Sequence, residues 1–159
     1  MTDYKYYLNQ CIEYTNKKDF DKALELVEKS LELNPENALA YFSKAIIYHN
    51  LMQLRAAYEN YDKAISLDKN MIDAYFNKAQ TILAFDSPTN EELKEALEDL
   101  NIAVSMDEKF IDAHYSIAVI KKKLGDYEGA IASLDKILEI QPISPYSKAL
   151  KKLIEQKYL

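Results

Sequence analysis

The sequence predicts an all-α fold made of four pairs of amphipathic helices and a ninth helix that covers the end of the last pair. Three observations predict this fold. Small residues recur at a nearly constant period, turn signals separate short amphipathic segments, and the 159 residues include only two Gly and four Pro. So few turn-forming residues leave little room for the many tight turns of a β-sandwich or barrel.

The repeat is clearest in residues 113–142, where two helical segments are separated by Gly125-Asp126 and closed by Pro142. Aligned copies start 34, 34 and then 39 residues apart, at Tyr4, Ala38, Ile72 and Ile111. Each copy has a small residue at its eighth position and another early in its second helix: Cys11, Ala45, Ala79 and Ala118, then Ala23, Ala57, Ala96 and Ala130. Small side chains let two helices approach closely, so we expect these positions to be buried between paired helices.

The first two copies give four helices with ordinary start and stop signals. Thr2 or Asp3 can cap the first helix, and Asn34-Pro35 ends the second. Asn16 stands in the first inner turn and Asn50 near the second. The predicted spans are 4–16, 20–33, 37–51 and 54–68.

The third copy departs from the period by five residues, at 86–90. Its first helix is predicted over 71–85. Ser87-Pro88 would place a proline at the first helical position, and Thr89 with Glu92 forms a capping box, so the next helix is predicted over 89–106. Whether this acidic insertion, residues 86–95, has a function of its own stays open.

The fourth copy and the chain's end supply the last three helices. They are predicted over 110–124, 127–140 and from Ile143-Ser144-Pro145 to about residue 157, with Gly125 as a left-handed C-cap. The apolar side of the ninth helix is predicted to comprise Tyr146, Ala149, Leu150, Leu153 and Ile154. Its lysines at 148, 151, 152 and 157 are expected to stay in water.

This pattern resembles the tetratricopeptide-repeat (TPR) family over residues 4–142, and residues 143–159 are similar to the family's C-terminal solvating helix. The family's second-helix sequence of an aromatic, an alanine and a large residue is present in Phe20/Ala23/Val27 and Tyr127/Ala130/Leu134. Near the middle of the first helix, where the family usually has Leu-Gly, this chain has Gln10-Cys11, Lys44-Ala45 and Lys78-Ala79 instead. The resemblance implies one right-handed α-solenoid domain, with repeats 4–37, 38–71, 72–110 and 111–144 and a capping helix over 145–157.

The resemblance also implies a concave groove lined by the first helix of each repeat, in which family members bind peptides or helices of partner proteins. The groove positions give an apolar and aromatic ladder flanked by short polar and acidic side chains. The predicted partner-binding residues are Leu8, Asn9, Ile12, Phe42, Ser43, Ile46, Asp73, Phe76, Asn77, Asp112, Tyr115 and Val119. The alternative is that these residues only pack adjacent first helices together.

One specialised role within the family is excluded by charge. TPR co-chaperones that hold the acidic tails of heat-shock chaperones use lysine, asparagine and arginine at set groove positions. Here those positions hold no cation: they are Leu8, Ile12, Ser43, Asp73 and Asn77, or one repeat later Phe42, Ile46, Asn77, Asp112 and Ser116. Lys121-Lys122-Lys123 is interpreted as a helix C-terminal cluster that interacts with the helix dipole.

No catalytic constellation can be assembled from these residues, so we expect neither an enzyme nor a cofactor or metal site. Cys11 occupies a small-residue packing position and is expected to be a buried, inert thiol. The net charge of −6 argues against nucleic acid as the main partner. No signal peptide or apolar run predicts membrane association, and a lone cysteine fits a reducing compartment, so a cytoplasmic location is expected.

The sequence therefore predicts a non-catalytic module that binds an apolar or amphipathic segment of another protein in its groove. Two alternatives stay open. The chain could self-associate as an assembly or scaffold protein, through Tyr4, Tyr6 and Tyr7 or through a displaced capping helix. It could instead be a chaperone of secreted proteins, because bacterial type III secretion chaperones are small TPR proteins of similar length.

Overall fold

The computed structural model describes residues 3–159, and this part of the chain contains nine α-helices and no β-strand. All nine predicted helices are confirmed, and every boundary agrees within two residues. Asp3 is the N-cap of the first helix, accepting a hydrogen bond from the Tyr6 amide, whereas Thr2 lies outside the described residues. The helices are α1 Tyr4–Asn16, α2 Phe20–Leu33, α3 Ala38–Asn50, α4 Leu54–Leu67, α5 Ile72–Leu83, α6 Asn90–Met106, α7 Ile111–Lys123, α8 Tyr127–Ile140 and α9 Pro145–Tyr158.

The described residues form two compact units, one ending at Ala84 and the other spanning Phe85–Leu159. In the first unit α1 pairs with α2, α3 pairs with α4, and α5 packs on α4. The first helices also contact each other: α1 touches α3, and His49 of α3 is hydrogen-bonded to Thr81 of α5. In this unit α1, α3 and α5 therefore share one surface, which we call the first-helix face. In the second unit α6, α7, α8 and α9 each pack against the next helix.

The core of each unit is formed where paired helices meet at small residues. The eight small residues singled out from the repeat are all completely buried, as predicted: Cys11, Ala23, Ala45, Ala57, Ala79, Ala96, Ala118 and Ala130. Larger side chains, Val27, Tyr61, Leu100 and Leu134, fill the space beside them and are buried as well. This alternation of small and large residues explains how short helices with modest amphipathicity pack at close range.

Three inner turns share one backbone feature, a residue in the left-handed region. Gly125 has φ +84°, which confirms its predicted role after α7. The equivalent residues after α1 and α3 are Lys18, with φ 61°, and Met52, with φ 58°. The sequence did not identify Lys18 and Met52 as left-handed residues. Asparagine is the usual non-glycine residue in this conformation, so the turn signals pointed to Asn16 and Asn50 instead.

We expect Met52→Gly to stabilise the protein by up to about 1 kcal/mol, because an L-residue in this region costs about 1–2 kcal/mol and glycine offsets part of that by its own entropy. Gly125→Ala should destabilise the protein by a similar amount. An added Cβ at this position would have no atom within 4 Å, so the cost arises only from holding alanine in the left-handed region. Urea denaturation of the two variants tests this pair. A destabilised Met52→Gly variant would contradict it.

The start of α6 follows one of its two predicted signals and not the other. Thr89 and Glu92 form the capping box, with the Thr89 hydroxyl accepting from the Glu92 amide and the Glu92 carboxylate accepting from the Thr89 amide. The prediction that Pro88 is the first helical residue is wrong, because it lies one residue before the N-cap. The capping box satisfies two amide donors at the start of the helix, whereas a proline at the first helical position satisfies none. The capping box therefore determines where α6 begins.

The predicted apolar side of α9 is corrected by the structure. Tyr146, Ala149 and Leu153 are exposed, whereas Ser147 and Ile154 are buried. Leu150 and Ile154 do pack in the core with α7 and α8, as predicted. The sequence was ambiguous because α9 has apolar residues on two adjacent stripes and carries a lysine, Lys151, on the buried one.

Lys151 belongs to a set of ion pairs that repeats with the fold. Its ammonium lies 2.6 Å from the Asp135 carboxylate of α8, so the expectation that this lysine is fully solvated is wrong. Two equivalent pairs connect a first helix with the preceding second helix, Lys44–Glu28 at 2.6 Å and Lys78–Asp62 at 2.9 Å. In all three pairs the acid precedes the lysine by 16 residues. The lysines that depart from the usual TPR pattern therefore connect successive repeats.

Candidate binding surface

The first-helix face of the first unit exposes part of the predicted apolar ladder. Ile12 is 39% exposed, and Phe42, Ile46 and Phe76 are half-buried. The Phe42 ring packs at 5.8 Å and a 59° tilt against Tyr61, a fully enclosed side chain of α4. The ladder is therefore anchored in the core while one edge of each side chain meets solvent, an arrangement suited to apolar contact without a large change in the protein.

Ile12, Ser43 and Ile46 meet at a shallow cavity of about 110 Å³ between α1 and α3. Two further lining residues, Thr15 and Asn16, were not among the predicted site residues. They occupy the twelfth and thirteenth positions of the first repeat, which the family also directs toward the groove, so the signal was present in the sequence. The Thr15 hydroxyl donates to the Cys11 carbonyl at 2.8 Å.

Two predicted site residues, Leu8 and Ser43, are more buried than a contact surface requires, and so is Ser116, which was named above only for the comparison with co-chaperones. Leu8 is a member of the core cluster of α1 and α2, so we leave it out of the proposed contact surface. Ser43 and Ser116 are buried, and their hydroxyls donate to the carbonyls of Leu39 and Asp112 at 2.9 Å. Each serine donates its hydroxyl hydrogen within its own helix, and Ser43 lines the cavity of the first-helix face. Asn9, by contrast, is exposed beside Leu8.

The α5 part of the first-helix face is fixed by a short polar chain. The Thr81 hydroxyl donates to the Asn77 carbonyl at 2.8 Å and lies 2.9 Å from His49 Nδ1. Because the only hydroxyl hydrogen is used on the carbonyl, the His49 ring donates from Nδ1 to the Thr81 oxygen. The Asn77 side chain is half-buried beside this chain and Asp73 is exposed one turn earlier.

The three predicted residues of the second unit lie along α7. Asp112 is exposed, and Tyr115 and Val119 are half-buried, with Tyr115 packed against the core that α7 shares with α8 and α9. Asp112 and Tyr115 line a cavity of about 380 Å³ together with residues 143–147, which precede and begin α9. Tyr146 is part of this wall and is 79% exposed. Sequence reasoning placed Tyr146 in the core instead of on this surface.

The side chains with the most reactive chemistry do not form a site. Cys11 is fully buried, and burial raises the pKa of its thiol from 9.0 to about 11. His114 Nε2 lies 2.8 Å from the Glu108 carbonyl, away from any nucleophile. Within residues 3–159, no group of three or more His, Cys, Asp or Glu side chains is placed to hold a metal ion. No helix in that range is both long enough and apolar enough to span a membrane.

We expect Cys11 to make the protein less stable at alkaline pH. Its folded pKa, about 11, is above the unfolded value of 9.0, so the unfolded chain loses its thiol proton first. The contribution of the neutral thiol to the free energy of unfolding is fully present below pH 9. It decreases by about 2–3 kcal/mol as the pH rises to 11. Urea denaturation between pH 8 and 11 measures this loss. Cys11→Ala is the control, because alanine occupies the same position in the other repeats; equal pH profiles for both proteins would refute the assignment.

Sequence comparison matches the repeats directly. Three sequence profiles described as "Tetratricopeptide repeat" match residues 4–37, 26–59 and 111–144. The chain belongs to the tetratricopeptide-repeat family. Two of these matches coincide with the first and fourth repeats as predicted from the sequence. TPR repeats are typical of protein-interaction modules, and TPR proteins typically have no catalytic activity.

A protein relative and several solved structures are also similar to this TPR chain. An uncharacterized protein of Methanocaldococcus jannaschii is 45% identical over 42 residues, which is 26% of this chain and 49% of that protein. The match therefore spans about half of that relative's length. A crystal structure of MamA superposes with a TM-score of 0.80 at 21% identity, over 96% of this chain and 86% of the MamA chain.

Two further structures give the same fold. MamA from Desulfovibrio magneticus superposes with a TM-score of 0.81 at 18% identity, over 96% of this chain and 89% of that one. PilF of Pseudomonas aeruginosa superposes with a TM-score of 0.78 at 17% identity, over 97% of this chain and 68% of PilF. At these identities the similarity establishes the fold alone, and it confirms the predicted all-α solenoid class.

Proposed function

We propose that this TPR protein binds an apolar or amphipathic segment of a partner polypeptide on its first-helix face, without catalysis. The observation that supports the proposal most directly is the cavity where Ile12, Ser43 and Ile46 meet. Apolar side chains converge there from two different helices, and Ile12 remains 39% exposed. An apolar strip with polar groups beside it is the usual form of a surface that receives a helix or an extended peptide.

The anchoring of the ladder explains how such a surface can be both exposed and specific. Phe42 and Ile46 pack against the core of the α3–α4 pair, with Ala45, Ala57 and Tyr61 beneath them. Their exposed edges are therefore held in place before a ligand arrives, which lowers the entropic cost of binding. Polar groups at the margin, among them Asn9 and Asn77, offer amide donors and acceptors for a peptide backbone.

The proposal is tested with Ile12→Glu and a matched control, Leu33→Glu. Leu33 is 55% exposed at the end of α2, so both variants place the same charge at an exposed apolar position. Peptides selected from a random 12-residue display library against the natural protein supply the ligands, and fluorescence anisotropy measures their affinity. We expect Ile12→Glu to weaken the selected peptides at least about tenfold, because a buried charge replaces apolar contact, and Leu33→Glu to leave them unchanged.

Two results would count against the first-helix face. If the peptides bind both variants as well as the natural protein, recognition lies elsewhere. If the library yields no binder, the face serves only to pack α1 against α3. Asn77→Ala gives a finer test within the same assay: loss of an amide contact should weaken a ligand by about 1 kcal/mol, and an unchanged affinity removes Asn77 from the site.

Self-association is examined with the same proteins. Tyr6 is half-exposed at the surface of α1 and stacks edge-to-face on Tyr7, with ring centres 5.5 Å apart. Light scattering over a range of concentrations decides whether this aromatic patch joins two copies. A mass that stays monomeric at high concentration would eliminate the scaffold alternative.

A further inference from the structure

The second unit contains a cavity of about 380 Å³ between the first turn of α7 and the segment that leads into α9. Ile111, Asp112 and Tyr115 form one wall, and residues 143–147 form the opposite one. This volume lies within the range of pockets that bind small ligands or single large side chains. The cavity lies entirely within the second unit and is separate from the face on which the proposed function was argued.

α9 supplies this wall because it occupies the place of a first helix. It begins at Pro145, 34 residues after α7 begins at Ile111, which is the period of the earlier repeats. Tyr146 is therefore the second residue of the helix, in register with Asp112 in α7. The buried contacts of α9 are made by its third and tenth residues, Ser147 and Ile154, so the second residue is left at the surface.

The lining combines apolar and aromatic side chains with one charge and with the polar side chains of Gln141, Ser144 and Ser147. Ile111, Ile143 and Pro145 give aliphatic walls, and Tyr115 and Tyr146 present aromatic rings. Asp112 is the sole charged residue among the lining side chains, and it is exposed. Within residues 3–159 no Lys, Arg or His side chain lies within ion-pair distance of its carboxylate.

A long cationic side chain matches this combination best. The aliphatic stem of arginine or lysine fits between apolar walls, its charged head can meet a carboxylate, and cations are attracted to the faces of tyrosine rings. A guanidinium adds planar stacking and a two-point hydrogen bond to a carboxylate, so arginine suits the site better than lysine. The net charge of −6 also favours the approach of cationic partners.

We propose that the Asp112–Tyr115–Tyr146 cavity is a subsite for a cationic side chain, preferentially arginine, of a partner polypeptide. The inference builds on the proposed function, because it names one residue class that the bound segment carries. The carboxylate of Asp112 pairs with the cation, Tyr115 and Tyr146 enclose its stem, and Ile111 and Ile143 contact the neighbouring apolar residues of the segment.

The test uses two blocked tripeptides, acetyl-Leu-Arg-Leu-amide and its citrulline counterpart, which has nearly the same shape without the charge. Each is titrated into the full chain while NMR records the backbone amide signals. We expect the arginine peptide to shift the signals of residues 111–115 and 143–147. The citrulline peptide should bind about two- to fivefold more weakly, the difference that an accessible ion pair gives.

Two variants and a matched control locate the interaction. Asp112→Asn should weaken the arginine peptide about two- to fivefold and should abolish the preference over citrulline. Tyr146→Ala should weaken both peptides by a similar factor, and its exposed position keeps the fold unaffected. Asp73→Asn is the control, because Asp73 is the second residue of α5 and exposed like Asp112, and the variant removes the same charge from the first unit.

The proposal is overturned if the two tripeptides bind equally, if the shifted signals lie outside the cavity, if no shift occurs up to the solubility limit, or if Asp73→Asn weakens binding as much as Asp112→Asn. Its failure is distinguishable from failure of the proposed function. Library peptides that bind the natural protein and lose affinity with Ile12→Glu, together with an absent arginine preference, would retain the first function and reject this subsite.

Discussion

Ile154→Ala is expected to destabilise the second unit by about 3 kcal/mol and to release α9 from α8. Ile154 is fully buried among Ala118, Leu134 and Ile137, and shortening it leaves a cavity in addition to the lost burial. Because a repeat protein is held together by contacts between neighbouring elements, the damage should remain local. Hydrogen exchange should therefore speed up in α9 and in the adjoining part of α8, and not in α1–α4.

Leu153→Ala is the matched control for this prediction. It removes an aliphatic side chain from the adjacent position of the same helix, but Leu153 is 47% exposed. We expect a change in the free energy of unfolding below about 0.5 kcal/mol, as is usual at the surface. If Leu153→Ala proved as damaging as Ile154→Ala, the two stripes of α9 would have been assigned to the wrong sides.

Asp62→Asn is expected to destabilise the protein by about 1–2 kcal/mol, because it removes the carboxylate that lies 2.9 Å from the largely buried ammonium of Lys78. Lys78 is a buried residue, 4% exposed, and its ammonium lies 2.9 Å from Asp62 and 5.0 Å from the centre of the Tyr58 ring. Asparagine preserves the shape of the side chain and removes its charge. The tyrosine ring offsets only part of that loss. Urea denaturation at neutral pH measures the effect.

Glu28→Gln is the control, because it removes the equivalent charge from the Lys44 pair. Lys44 is more accessible to water than Lys78, so we expect a cost below about 1 kcal/mol. The double variant Asp62→Asn/Lys78→Met should cost less than the sum of the two single variants, since the interaction between Asp62 and Lys78 is then lost only once. Equal costs for Asp62→Asn and Glu28→Gln, or strictly additive costs in the double variant, would show that the pair with the buried Lys78 is not the cause.

The helices and most of the core could be predicted because the signals that specify them are local and repeated. A small residue at a fixed period, such as Ala45 or Ala118, is a strong indication of a tight helix pair, and caps such as Thr89 set the boundaries. The left-handed residues were missed for the opposite reason. Lys18 and Met52 have no intrinsic preference for that conformation, and only the geometry of the paired helices imposes it.

The candidate surface was harder to predict because its residues depend on long-range contacts. Among the positions assigned from the family, Ile12, Ile46 and Tyr115 are partly accessible, whereas Leu8, at the position equivalent to Tyr115, is in the core. For α9 the buried stripe contains the half-buried Lys151, and its position there is explained only by the ion pair with Asp135 from another helix. A charge pair formed between two helices leaves no local pattern in either of them.

The side chain of Lys152 hinders the addition of further repeats after α9. Lys152 is the eighth residue of α9, the position at which Cys11, Ala45, Ala79 and Ala118 allow a second helix to approach. A long exposed ammonium at that point keeps its side of α9 hydrated and would hold an incoming helix away. Modular engineering that joins further repeats to α9 would therefore need to begin by replacing this one lysine with alanine.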